Sequence, residues 1–317
     1  MTNRLELNWS LDGFVDEQRY YCAETSIDPI NLPVPKTILA GDIRTYIDTA
    51  IEAEKTYYVA IGSVMGGIEK LSDIAIVTTA MPDEYWANVT SLLHFNGPNN
   101  STVFTDEKGT IWSRNGSPII STAQSKFGGS SGRFSKNNYI STNTMAPFLF
   151  GASEDFTVEA WLYLPTGASI YDEEIPILCV GAQDVSTQGG GWNFCLFDKA
   201  SATMRLERDS TNFTALAVEF PIGSSLPRDT WMHVEFGRKS GTTYGFFQGN
   251  LKGSSTLHNN IPFNSPNINN VSIASGNGRV LPNNWHLDGY IDDLRVTKGV
   301  CRHTVGFAPP DREAPNF

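Results

Sequence analysis

The sequence predicts an all-β protein made of two sandwiches, and three observations carry that reading. The 317 residues include 28 glycines and 17 prolines, a turn-rich profile. Short runs of alternating apolar and polar residues recur, separated by Gly, Asn and Ser. No stretch of useful length shows the apolar period of an amphipathic helix. The length suits two domains better than one.

The charge balance narrows the partners. The chain carries a net charge of −11, with Asp and Glu scattered and no basic block, which argues against nucleic acid as the main partner. No apolar run approaches the roughly 20 residues that span a bilayer, so membrane insertion is not expected. The Met1-Thr2-Asn3-Arg4 start lacks the apolar region of a signal peptide, and the expectation is synthesis in a cytoplasm. Cys22, Cys179, Cys195 and Cys301 show no C-x-x-C spacing, and only Cys301 has a nearby histidine, His303. That disfavours zinc and points to free, mostly buried thiols, with a Cys179–Cys195 disulfide as the minor alternative.

Residues 1–80 form the first predicted domain. Leu5, Leu7 and Trp9 alternate with Glu6, Asn8 and Ser10 before a turn at Asp12-Gly13. Further strands are read at 19–24, 45–49, 55–64 and 74–79, with a polar, proline-bearing connection from Asp28 to Pro35. Trp9 and Tyr58 are expected in its core. Residues 81–86 are a short linker, and 87–317 form the second domain. Its strands are read near 89–95, 119–121, 131–134, 138–141, 156–164, 175–181, 192–198, 203–208, 214–220, 231–238, 243–248, 271–275 and 287–296. In the last of these, Tyr290, Asp292 and Leu294 alternate with Ile291, Asp293 and Arg295. Its expected partner is Val89–Gly97, so that the two ends of the domain pair and close it into packed sheets.

The order of the first domain resembles a fibronectin type III module, with Trp9 on that family's second strand and Tyr57-Tyr58-Val59-Ala60 at its tyrosine corner. The family's first strand has no counterpart, so either it is dispensed with or a neighbouring chain covers that edge. The second domain resembles the concanavalin A-like, laminin G-type jelly rolls of bacteriophage tail proteins. Ser121-Thr122-Ala123-Gln124-Ser125-Lys126-Phe127-Gly128-Gly129, Phe156–Trp161, Trp231–Val234 and Gly289–Val300 carry the likeness, in the family's order. The pairing of the two modules is similar to virion adhesins.

In 156–165, Glu159 and Trp161 lie on the face opposite Val158 and Ala160; in 231–236, His233 and Glu235 lie opposite Met232 and Val234. These four are expected on an outer, concave face able to bind a glycan, since sugar rings stack on aromatic planes and carboxylates and imidazoles bond hydroxyls. Packing beneath long loops is the competing reading. Trp192, Tyr244 and Trp285 form a second candidate set, in Gly- and Asn-rich loop contexts, with plugging of the sandwich end as the alternative. The resemblance implies a structural calcium, for which Asn96, Asp106 and Asp292 are the candidate oxygen ligands; turn capping competes with it. Glycosidases of this fold group carry a Glu-x-Asp-x-x-Glu run, and Glu159 has no second carboxylate following it.

The resemblance therefore implies a non-catalytic virion tail protein that attaches to a host-surface glycan or protein, works beside other tail proteins and forms a homo-oligomer, with a trimer as the guess. A decoration or joining protein of the virion is the alternative. A polysaccharide depolymerase using Glu159 with Glu235 is the third.

Overall fold

The computed structural model describes residues 5–79, 81–169, 174–181, 191–198, 200–208, 216–264, 269–276 and 285–317. The chain divides into two compact units, Met1–Glu84 with Phe317 and Tyr85–Asn316. Both are all-β, and the described residues include only two single-turn 3-10 helices. No described helix is long and apolar enough to cross a membrane.

The first unit holds β1 (Leu5–Asn8), β2 (Glu17–Ala23), β3 (Thr37–Ala40), β4 (Thr45–Asp48), β5 (Thr56–Met65), β6 (Ile68–Leu71) and β7 (Ala75–Thr78). β1 pairs with β4 in one sheet; the other runs β3-β2-β5-β6, with β7 also on β5. β3 and β6 were not predicted, because each has four residues and leaves half of them exposed. Tyr20, Tyr57, Val59 and Ile61 make the core, and Leu5, Leu7, Trp9 and Tyr46 are half-buried against it. The Tyr20 hydroxyl donates to buried Asp48 at 2.9 Å, giving the phenol a partner inside the core.

The second unit holds β8 (Val89–Leu93), β9 (Ser113–Asn115), β10 (Ile119–Ser121), β11 (Ser131–Phe134), β12 (Tyr139–Thr142), β13 (Phe156–Tyr163), β14 (Glu174–Gly181), β15 (Trp192–Asp198), β16 (Ala202–Arg208), β17 (Leu216–Gly223), β18 (Trp231–Lys239), β19 (Thr242–Phe247), β20 (Asn250–Ser255), β21 (Asn270–Ile273) and β22 (Gly289–Lys298). One sheet runs β10-β11-β22-β13-β18-β19-β20 with β8 also on β22, and the other runs β17-β16-β15-β14-β21-β12-β9. The expected closure is present: Leu294 faces Leu93 and Arg295 faces Leu92 across an antiparallel pair. Of the predicted strand near 214–220, residues 214 and 215 lie outside the described residues.

Between the sheets, Phe156, Val158, Ala160 and Leu162 meet Met232, Val234 and Phe236 from β18 and Ile177, Phe194, Leu196 and Met204 from the facing sheet, all fully buried. Trp192 belongs here. It opens β15, its ring packs on Phe150 and Phe263, and its Nε1 donates to the Phe148 carbonyl at 2.9 Å. This corrects its placement in a ligand-facing loop, since its apolar surface and its one donor are both satisfied inside. The cysteines are all free. Cys195 stands opposite Pro176 and Cys179 opposite Asn193, so the disulfide alternative has no facing pair.

Strict alternation fails in β22. The β13–β22 register shifts between Glu159 and Trp161, and Asp293 takes φ 49. The extra residue of this bulge puts Ile291, Leu294 and Val296 on the core side, with Asp292 and Arg295 on the other.

Candidate functional site

The outer face of the eight-stranded sheet is built in cross-strand rows. β13, β18 and β22 are neighbours, so each outward residue of β13 has one partner on either side. Glu159 faces Glu235 and Arg295; Trp161 faces His233 and Asp292; Tyr163 faces Trp231 and Tyr290. The predicted grouping of Glu159, Trp161, His233 and Glu235 is thus observed, but their exposure is not. They retain 3%, 5%, 1% and 0% of their accessible surface.

The cover is the segment that follows β22. The Arg302 amide donates to Thr157 Oγ1 at 2.8 Å, and that hydroxyl donates to the Val300 carbonyl. His303 Nδ1 stands 2.9 Å from Glu235 Oε2, and its ring stacks on Phe307 at 3.5 Å. Phe307 in turn lies against His233 and Phe246, and its amide donates to Gly249. Phe127 meets Trp161 edge-on, with Lys126 Nζ 4.0 Å from the centre of the indole. A strap and a loop therefore seal the rows that were expected to meet ligand.

Inside this seal lies an ion cluster. Glu159 Oε1 accepts from Arg295 Nε at 2.9 Å and Nη2 at 2.8 Å, with Arg302 at 3.7 Å, while Oε2 stands 3.2 Å from His233 Nε2. Burial pushes the Glu159 carboxyl up, but Arg295, His233 and Arg302 outweigh it and hold the group well below the usual carboxylate range. Glu235 moves the other way: burial and the neighbouring Glu159 raise it, against the opposing bond to His303. Two facing carboxyls shifted apart resemble the acid and nucleophile of glycoside hydrolysis. Here both are sealed, and one is held by a guanidinium. Glu159, His233 and Glu235 also offer ligand atoms within 4.8 Å of one another. A divalent cation would join a buried group whose carboxylates already face Arg295, Arg302 and His303, so the charge balance opposes it.

The calcium candidates are mostly engaged within the fold. Asp106 accepts from Ser91 Oγ, the Leu92 and Lys108 amides and Trp112 Nε1. Asn96 donates to Glu313 Oε1 at 2.5 Å. Asp292 Oδ2 accepts from the Lys126 and Phe127 amides, whereas its buried Oδ1 has no partner. Three such residues do not supply the several free oxygens that calcium takes. Asp292 Oδ1 is the open oxygen left for testing the calcium expectation. We expect melting temperatures in EDTA and in millimolar calcium to agree within about 1 °C, whereas a rise of several degrees in calcium would place an ion against that oxygen.

Tyr244 lies half-buried on the same outer face, opposite Gly237. Trp285 is half-buried beside Gly276, whose amide donates to its carbonyl. The Gly189-Gly190 and Asn283-Asn284 contexts invoked for the loop set lie outside the described residues. Sequence reasoning passed over the row Trp231, Tyr163 and Tyr290, although the same alternation puts Trp231 and Tyr163 on this face. Its ring centroids are 5.5 and 5.8 Å apart, and the Arg133 guanidinium lies 5.1 Å from the centre of the Tyr290 ring. The available signal was period two: each ring lies two residues from a residue that had been counted.

The family model for the concanavalin A-like lectin/glucanases superfamily matches residues 134–303, just over half of the chain. The chain belongs to this superfamily. No curated protein sequence matches it. Among solved structures, the binding domain of Paraclostridial Mosquitocidal Protein 1 is 13% identical over 69% of this chain and 51% of its own, with a TM-score of 0.49. The botulinum neurotoxin serotype D binding domain is 16% identical over 72% and 50%, with a TM-score of 0.45. Domain 4 of AbnA, a GH43 extracellular arabinanase from Geobacillus stearothermophilus in complex with arabinotriose, is 14% identical over 68% and 94%, with a TM-score of 0.47. The chain spans about half the length of the first two.

Proposed function

We propose that the protein is a non-catalytic, lectin-like attachment protein whose jelly roll binds glycan. The observation that supports the lectin side of the superfamily is the state of its carboxyl pair. Glu159 and Glu235 face each other as a hydrolytic pair would, yet Glu235 is fully buried beneath His303 and Glu159 is bonded by Arg295. A hydrolase needs its acid within hydrogen-bond reach of the scissile oxygen, and a sealed acid has no such reach. A phage tail is the setting we propose for this activity, and the sequence resemblance of the second domain supports it. There the first unit acts as a fibronectin type III-like joint to the particle, and its β1 edge, paired only with β4 among the described residues, suits contact with a neighbouring copy.

Weak single-site binding is enough for a protein displayed in many copies, because linked sites raise overall affinity without new contacts. The test is adsorption of the full chain, clustered on beads, to host cells and to their purified polysaccharide. Retention that free polysaccharide competes away is the expected result. Failure to adsorb, with the protein folded, removes the attachment reading. Release of reducing ends that stops in Glu159→Gln would replace it with the depolymerase.

A further inference from the structure

We infer that the row Trp231, Tyr163 and Tyr290, ended by Arg133, is the saccharide-binding site, and that its ligand is a neutral glycan. This inference rests on the lectin-like reading and names the surface that performs it. The rows through Glu159 and Trp161 lie under the strap and the 126–127 loop, but in the next row Trp231 and Tyr290 remain half-buried on either side of a buried Tyr163. Each ring comes from a different strand, at positions fixed by backbone pairing: Trp231 and Tyr290 both face Tyr163, and Arg133 faces Tyr290. Cross-strand aromatic contact alone stabilises a sheet. Polar groups also stand at both ends of this row.

Those groups suit hydroxyls. Asp229 takes φ 54, accepts from the Thr166 amide at 2.8 Å and lies 3.5 Å from the Tyr163 hydroxyl. At the other end Arg133 Nη2 donates to Asp288 Oδ1 at 2.7 Å, and the Ser169 amide donates to Asp288 Oδ2. Carboxylates accept from sugar hydroxyls, a guanidinium donates to them, and the apolar face of a pyranose stacks on an indole or a phenol. Aromatic surface with a few placed polar groups is the usual make-up of a small-ligand site. The charge argues for a neutral ligand. The row carries one carboxylate at one end and a carboxylate–guanidinium pair at the other, on a chain of net charge −11, and this negative balance repels an anionic polysaccharide.

Native affinity electrophoresis of the full chain tests this, in gels containing mannan, β-glucan or galactan as neutral probes and hyaluronan as the acidic one. We expect retardation in at least one neutral gel and none in hyaluronan. Trp231→Ala, with near-ultraviolet circular dichroism otherwise retained, should weaken that retardation about tenfold, and Trp231→Phe should keep part of it. Should Trp231→Ala fail to fold, Tyr290→Ser on the half-exposed ring carries the same expectation. Retardation that folded Trp231 and Tyr290 variants leave unchanged overturns the site while the lectin reading stands. Retardation in hyaluronan alone overturns the neutral ligand. No retardation in any gel, together with failed cell adsorption, removes the lectin reading and this site with it.

Discussion

Arg295→Met is expected to destabilise the jelly roll by about 3–5 kcal/mol, the usual effect of leaving one member of a buried ion pair without its partner. Arg295 reaches Glu159 through two nitrogens, and both residues keep less than a tenth of their surface. His233 and Arg302 remain near the carboxylate at 3.2 and 3.7 Å, which holds the loss toward the lower figure. Glu159→Leu combined with Arg295→Met should regain most of the stability, because the pair's own net contribution is small beside the harm of halving it. The measurement is the denaturant midpoint followed by tryptophan fluorescence, since six of the seven tryptophans lie in the second unit. A single variant as stable as the parent would mean that Glu159 is not charged in the folded state. The sign with pH follows from the lowered carboxyl. The pair's stabilisation is present above the unfolded carboxyl value of about 4.3 and is lost as pH falls toward the lower folded value. In the variant, protonation of Glu159 relieves the buried charge, so the gap between the two proteins should shrink in acid.

Much of the architecture was legible because strands announce themselves locally. The runs 156–164, 192–198 and 231–238 have the alternation and bounding turns of half-buried strands, and they became β13, β15 and β18 with ends shifted by a residue at most. The pairing of β22 with β8 was legible too, as two well-bounded strands at the ends of one domain. The functional face was only half legible. Period two correctly gathered Glu159, Trp161, His233 and Glu235, but whether a sheet's outer face meets water is decided by segments without periodicity. The cover, from Val300 to Phe307, has no alternation, and nothing local to Cys301-Arg302-His303 shows that His303 will stack on Phe307 above Glu235. The Asp293 bulge was hidden for a related reason. One residue at positive φ transfers Leu294 to the core, and an unbroken strand pattern does not reveal it.

Asp292→Asn is expected to stabilise the protein at pH 8 and to do so much less at pH 5. The Asp292 side chain is fully buried on the row beneath the 126–127 loop, where Oδ2 accepts two backbone amides and Oδ1 has no partner. Burial pushes the carboxyl up to about 7 despite those amides, and the nearby Asp293 and Glu313 add to the shift. A raised acid binds more protons folded than unfolded between its two values, so stability falls as pH rises from about 4 through about 7. A displacement of roughly three pH units corresponds to at most about 4 kcal/mol at pH 8. Asparagine keeps an oxygen for the Lys126 and Phe127 amides and carries no charge, so the variant escapes that loss. Glu235 is raised as well, and His94 is raised by its 2.7 Å bond to Asp293 against the lowering effect of burial; both contribute the same downward slope in the two proteins. The difference between parent and variant, from denaturant midpoints at pH 5 and pH 8, therefore isolates Asp292. Equal slopes would show that the carboxylate is already compensated at pH 8. If the slopes become equal only when calcium is present, the compensating charge is a bound cation, and the lone Oδ1 is its ligand.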